Sequence, residues 1–104
     1  MQAWGLTDPG CARSQNQDAY QMETLDKNTT LCIVCDGMGG QIGGDIASSK
    51  AVEFISNNLK LNLKDGMKNS SVHYLLESSI STANTLIYDM SNTDLSLTGM
   101  GTTI

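Results

Sequence analysis

The chain has 104 residues, enough for one domain with a single ordinary core, and an apolar content of 39% with 10 glycines belongs to chains that fold. Six basic residues against eleven acidic ones leave a net charge of −5, which excludes nucleic-acid or anionic-membrane binding as the main task, since both need a basic surface. An acidic balance suits cation binding instead. No apolar run approaches the roughly 20 residues of a membrane span, and the N-terminus has no basic patch followed by an apolar signal core, so a cytoplasmic protein is expected. Three cysteines, an odd number, do not make a disulfide framework, and Cys32 and Cys35 lack the second pair that would complete a zinc site. Spaced by three along a strand, these two point to opposite faces, and both are expected as reduced core residues.

Residues 2–7 read as a short strand, ended by the turn chemistry of Asp8-Pro9-Gly10. Residues 18–24 alternate Tyr20 and Met22 with polar neighbours, which predicts a strand pairing antiparallel with the apolar run 31–35 across a polar loop at 25–30. That run lacks alternation, so it is expected to be buried on both faces and to deliver Asp36 to its C-terminal end. Beyond a glycine-rich stretch, residues 45–59 carry apolar or small side chains at positions 47, 51, 52, 55 and 59, the recurrence of an amphipathic helix. After a polar loop at 61–69, a second helix is expected over 72–90. It would place Val72, Leu75, Leu76, Ile80, Ala83, Leu86, Ile87 and Met90 on one broad stripe, with Ser70 or Ser71 as cap. The final LTGMGTTI stops inside a β-branched run that reads as the start of a strand, so residues 1–104 are expected to form the N-terminal part of a single, longer domain.

The glycines first suggest a phosphate cradle. A P-loop needs a lysine in register after the glycines and none stands there; a dinucleotide fingerprint started at Gly37 and Gly39 meets Ile42 at its third glycine position and sets Asp36 against a pyrophosphate. The lone His73 lies in the second helix, far from the glycines, and is expected to have a surface or capping role. No G-x-S-x-G nucleophile motif is present. Oxygen chemistry remains: Asp18, Asp36, Asp45, a carbonyl of the glycine turn, and Arg13 five residues before Asp18. Mg²⁺ and Mn²⁺ take such ligands, and a divalent ion allows two neighbouring carboxylates to stay ionised together. Arg13 offers a planar fork for a phosphate. The plainer alternative is that Asp18 and Asp36 only punctuate strand ends.

Three stretches, GLTDPGCARSQNQDAY, CDGMGGQIGGDIAS and GMGTT, stand in one order that resembles the metal-dependent serine/threonine protein phosphatases of type 2C, bacterial members in particular. The resemblance implies an α+β fold, a four-layer α-β-β-α sandwich of two antiparallel sheets flanked by helices, of which this chain holds the N-terminal part. It implies hydrolysis of phosphoserine and phosphothreonine in proteins by a metal-activated water with no phosphoenzyme, two Mg²⁺ or Mn²⁺ ions per complete domain, and a site left incomplete within these residues. Arg13 resembles the arginine that grips the substrate phosphate, and Asp36 the aspartate that bridges the two metals. Gly37 resembles the residue whose backbone carbonyl reaches one metal, and Asp18 the acidic residue that orders metal-bound water. Gln17 stands where bacterial members commonly have glutamine, and Gly99, Gly101 and Thr102 match a motif whose part is mainly structural. Met38 and Gln41 depart from the pattern, at positions where some animal and many bacterial members respectively carry histidine. Phosphorylated proteins are the implied partners, with no nucleic acid and no membrane, and a monomer is expected. Two alternatives stand beside this reading: a non-catalytic relative that binds partners through the same fold, and an α/β nucleotide-binding domain.

Overall fold

The computed structural model describes residues 5–6, 17–39 and 43–104. The expected strand at 2–7 falls outside these residues except for Gly5 and Leu6, which lie in no strand, and the turn at Asp8-Pro9-Gly10 lies outside them altogether. Strands β1 (Asp18–Asp26) and β2 (Thr29–Met38) form an antiparallel hairpin. Both run further than alternation alone predicts because threonines continue the ladder, Thr24 opposite Thr30, and β-branched residues suit a pleated surface. The loop shrinks to Lys27 and Asn28, where the Asn28 N–H donates to Asp26 Oδ1 at 2.8 Å, and the extra residue is absorbed as a register shift between Thr24 and Asp26.

The expectation that β2 is buried on both faces is wrong. Ile33, Cys35 and Gly37 are buried, whereas Cys32, Val34, Asp36 and Met38 alternate with them and are exposed, Val34 by 68%. A continuous apolar run shows that both faces accept apolar neighbours; it does not show that both are covered. Cys32 is therefore an exposed thiol and Cys35 a core residue.

Helix α1 (Gly43–Asn62) covers the buried face with Ala47, Ala51, Val52, Ile55 and Leu59, the stripe expected from the sequence. Asp45 in its first turn and Lys60 in its last complement the helix dipole. The helix outlasts its apolar stripe because the Asn62 side chain donates back to the Asn58 carbonyl at 2.9 Å.

Helix α2 (Asn69–Thr93) starts earlier than expected, with Lys68 at its N-cap and no side-chain cap bond, so Ser70 and Ser71 are interior residues rather than caps. It packs against α1 along a narrower line than the predicted stripe: Ala83 and Ile87 are buried, Leu75 and Met90 partly so, and Leu76, Ile80 and Leu86 stay exposed. Within that line the Asn58 amide donates to Ser79 Oγ at 2.7 Å, and the same hydroxyl donates to the Leu75 carbonyl at 2.7 Å. A 3₁₀ turn over Leu95–Leu97 and a left-handed Gly99 (φ +80°) lead into β3 (Gly101–Thr102), which pairs antiparallel with β2 as the closing β-branched run suggests.

The sheet order is β1-β2-β3. The described residues span 43 × 31 × 16 Å, and the short dimension is that of one sheet layer under one helix layer. Two helices on one face of a three-stranded antiparallel sheet make an α+β arrangement. Among the described residues no helix is long and apolar enough to cross a membrane.

Candidate functional site

Asp36 lies inside β2, two residues before its end, because pairing with β3 carries the strand past it. The hairpin register sets Asp18 directly opposite Asp36. Both are exposed, and both belong to the set Asp18, Tyr20, Met22 and Cys32, Val34, Asp36 that faces away from α1. The register thus sets two carboxylates side by side, hard oxygen donors of the kind a divalent cation takes. The same face carries main chain from the N-terminal segment: Tyr20 Oη donates to the Gly5 carbonyl at 3.2 Å, and a Cβ on Gly5 would come within 2.6 Å of the Tyr20 ring.

The base of this pair is tied to the rest of the fold through one carbonyl. The Gln17 oxygen accepts from the Gly37 N–H at 3.0 Å and from Ser48 Oγ of α1 at 2.6 Å. Strand and helix pass so closely here that a Cβ on Gly37 would strike the Gly44 carbonyl oxygen and lie 2.6 Å from the Gln17 oxygen. Gly39 adopts φ +109°, and a Cβ there would lie 2.7 Å from the Gly99 oxygen. Its own carbonyl accepts from the Gly44 N–H at 2.9 Å. The glycines thus let backbone pack on backbone where β2, the start of α1 and the turn before β3 converge.

Of the residues expected at the site, the structure brings together Asp18, Asp36 and Gly37. Arg13 and Gln41 lie outside the described residues. Asp45 is half-buried in the first turn of α1, where its carbonyl accepts from Ser48 Oγ at 3.2 Å. Met38 is exposed at the end of β2, beside Gly101 of β3. His73 is exposed on α2 and pairs with Glu77 at 2.9 Å, a surface role as expected. Burial raises the Cys35 thiol above its ordinary range, only partly offset by a hydrogen bond from Thr102, which disfavours a thiolate there.

Among the described residues no group of three or more His, Cys, Asp or Glu side chains could hold a metal ion. Two carboxylates and the main-chain oxygen of Gly37 are nevertheless hard donors of the kind Mg²⁺ and Mn²⁺ prefer. They fit a divalent ion whose other positions are filled by water or by further oxygen ligands. Nothing in the sequence singles out Thr103 beyond its being the second β-branched residue of GMGTT. Yet its hydroxyl accepts the Asp36 N–H at 2.9 Å, from 67 residues away in the chain.

Known proteins share the sequence pattern and the fold. Over its full length the chain is 34% identical to "Serine/threonine phosphatase stp" of Listeria monocytogenes, covering 41% of that protein. It is 36% identical over 98 residues to "Putative protein phosphatase 2C-type" of Streptococcus pyogenes, covering 39% of it. The chain thus spans about two fifths of the length of these relatives. The structure of the S. agalactiae serine/threonine phosphatase superposes with a TM-score of 0.80 at 36% identity, over 93% of this chain and 39% of that one. A bacterial serine phosphatase bearing an R161E mutation superposes with a TM-score of 0.81 at 27% identity, over 93% of this chain and 43% of that one. The model of the protein phosphatase 2C family matches residues 12–103, a span that holds the opposed aspartates, the glycine crossing and the β3 turn alike, and the chain belongs to that family.

Proposed function

We propose that the full-length protein is a divalent-metal-dependent phosphatase acting on phosphoserine and phosphothreonine in proteins. The observation that carries this reading is the register that holds Asp18 opposite Asp36 on one open face of the sheet, in a chain of the 2C family whose relatives are named serine/threonine phosphatases. Asp36 and Asp18 would hold Mg²⁺ or Mn²⁺, with the Gly37 carbonyl beside them. A bound divalent ion of this kind supplies a Lewis acid and water activated at neutral pH. Asp36 would hold the ion against the sheet, and Asp18, by its family resemblance, would order water beside it. Arg13, by its family resemblance, would grip two phosphate oxygens and fix the ester for in-line attack. With attack by water rather than by a side chain, no phosphoenzyme forms.

The four-layer sandwich belongs to this proposal. Its support is the face carrying Tyr20, Met22 and Val34, which is apolar, lies opposite the helices and already bears the main chain of Gly5. A second sheet would dock there, bringing further acidic ligands toward Asp36. The free thiols at Cys32 and Cys35 suit the cytoplasm.

The test is phosphate release from a phosphothreonine peptide by full-length protein with Mn²⁺. Asp36→Asn is expected to lower the rate on the order of 100-fold, as loss of a metal ligand's charge does at such sites. No phosphate release by the wild type would refute the phosphatase reading in favour of a partner-binding relative, and release at equal rates by wild type and variant would refute the role given to Asp36.

A further inference from the structure

The junction of β2 with β3 contains an irregularity centred on Asp36. Gly37 pairs with Thr102 and Met38 with Gly101, so the next opposed pair is Asp36 with Thr103. A regular antiparallel pair at a narrow position exchanges two main-chain bonds, each N–H donating to the opposite carbonyl. Here only one is regular: the Thr103 N–H donates to the Asp36 carbonyl at 2.9 Å. The Asp36 N–H donates instead to Thr103 Oγ1, also at 2.9 Å. The Thr103 carbonyl accepts from Thr102 Oγ1 at 2.8 Å. The Thr103 hydroxyl also lies 3.5 Å from the Asp36 carbonyl, toward which it can donate. A side chain has replaced the main-chain acceptor that should hold Asp36.

Successive N–H groups of a strand point to opposite neighbours, and the two at this position show it. The Gly37 N–H goes to Gln17 at the head of β1, and the Asp36 N–H goes to Thr103 beyond the end of β3. On the β1 side main chain meets both peptide planes of Asp36, Cys35 pairing with Ala19 and the Gly37 N–H meeting Gln17, whereas on the β3 side the plane that carries the Asp36 N–H is held by one hydroxyl. Rotating that plane redirects the Cα–Cβ bond and with it the carboxylate.

We propose that Thr103 is the positioning residue of the Asp36 carboxylate: its hydroxyl, accepting the Asp36 N–H and facing the Asp36 carbonyl, fixes the direction in which the carboxylate leaves the sheet toward the cation. This rests on the reading of Asp36 as a metal ligand. A hydroxyl can accept and donate at one place; a methyl cannot, so valine keeps the shape and loses the hold, whereas serine keeps the hold. Groups that orient a metal ligand typically change affinity by 10–100-fold when removed.

The experiment is Mn²⁺ titration by calorimetry on the full-length protein, together with hydrogen exchange of the Asp36 amide and a thermal scan, for wild type, Thr103→Val and Thr103→Ser. Thr103→Val is expected to bind Mn²⁺ on the order of 10-fold more weakly and to lose protection of the Asp36 amide. Thr103→Ser is expected to restore both to within about twofold. Thr85→Val removes an exposed hydroxyl that bonds only within α2 and is expected to leave Mn²⁺ affinity in place. If Thr103→Val fails to fold, Thr103→Ala makes the same comparison. Wild-type binding that Thr103→Val leaves unchanged overturns this inference alone. A wild-type protein that takes up no Mn²⁺ overturns the metal-centre reading and this inference with it.

Discussion

Replacing Gly37 with alanine distinguishes between two opposing expectations. Gly37 lies in β2 and its φ is not positive, so on chain entropy alone the substitution should stabilise the fold by roughly 0.4–1 kcal/mol. The structure reverses the sign. The new Cβ would strike the Gly44 carbonyl and lie 2.6 Å from the Gln17 oxygen, and both obstacles are backbone, which cannot swing aside as a side-chain tip can. Overpacking of this kind costs about 1–3 kcal/mol. Relief by separating the head of β1 from β2 would stretch the 3.0 Å bond from Gly37 N–H to Gln17, worth about 1 kcal/mol. The net loss expected is about 2–3 kcal/mol, a fall in Tm of roughly 4–12 °C for a domain of the relatives' length. Urea unfolding followed by far-ultraviolet circular dichroism, with a thermal scan, measures it. Gly66→Ala provides the comparison: its φ is +79° but nothing lies within 4 Å of the added carbon, so it is expected to cost only about 1 kcal/mol. Gly37→Ala proving as stable as wild type, or costing less than Gly66→Ala, would refute the close crossing of β2 beneath α1.

Two further outcomes follow from the same packing. Iodoacetamide applied to the native protein is expected to spare Cys35, which is buried beneath α1 and held protonated, and to modify it once urea unfolds the protein; peptide mass mapping reads the site, and rapid labelling in the native state would contradict the burial pattern of β2. Ser79→Ala is expected to cost about 1 kcal/mol in urea unfolding by removing the acceptor of the Asn58 amide between α1 and α2, and a neutral effect would mean that this inter-helix bond contributes nothing.

Much of the architecture was legible because periodicity and burial coincide. The stripe from Ala47 to Leu59 is the one that covers the sheet, and the alternation around Tyr20 and Met22 marks a strand with two unlike faces. Legibility failed where a pattern reports composition without its partners. Uninterrupted apolar residues at 31–35 could not reveal that only one face of β2 is covered by helix, nor could the broad stripe of α2 show that contact with α1 uses a narrow line through Ser79, Ala83 and Ile87. At the candidate site, motif spacing pointed to Asp18 and Asp36, and the register accounts for their meeting. Thr103 stayed hidden because its role depends on a crossing between residues 67 positions apart, and no local pattern encodes that.

The parity of β2 has an evolutionary and engineering corollary. Cys35 and Asp36 are neighbours on opposite sides of the strand, one sealed beneath α1 and one open to solvent. Deleting a single residue between Thr29 and Cys35, with the hairpin closure held, would turn both over, facing the thiol outward opposite Tyr20, burying the carboxylate under alanines and leaving Gly37 opposite Asp18. A length change confined to Lys27 and Asn28 that keeps Asp26 opposite Thr29 would leave each side chain on its own side and Asp18 still opposite Asp36. Homologous chains should therefore vary freely in hairpin length while keeping an odd or even count within the strand itself.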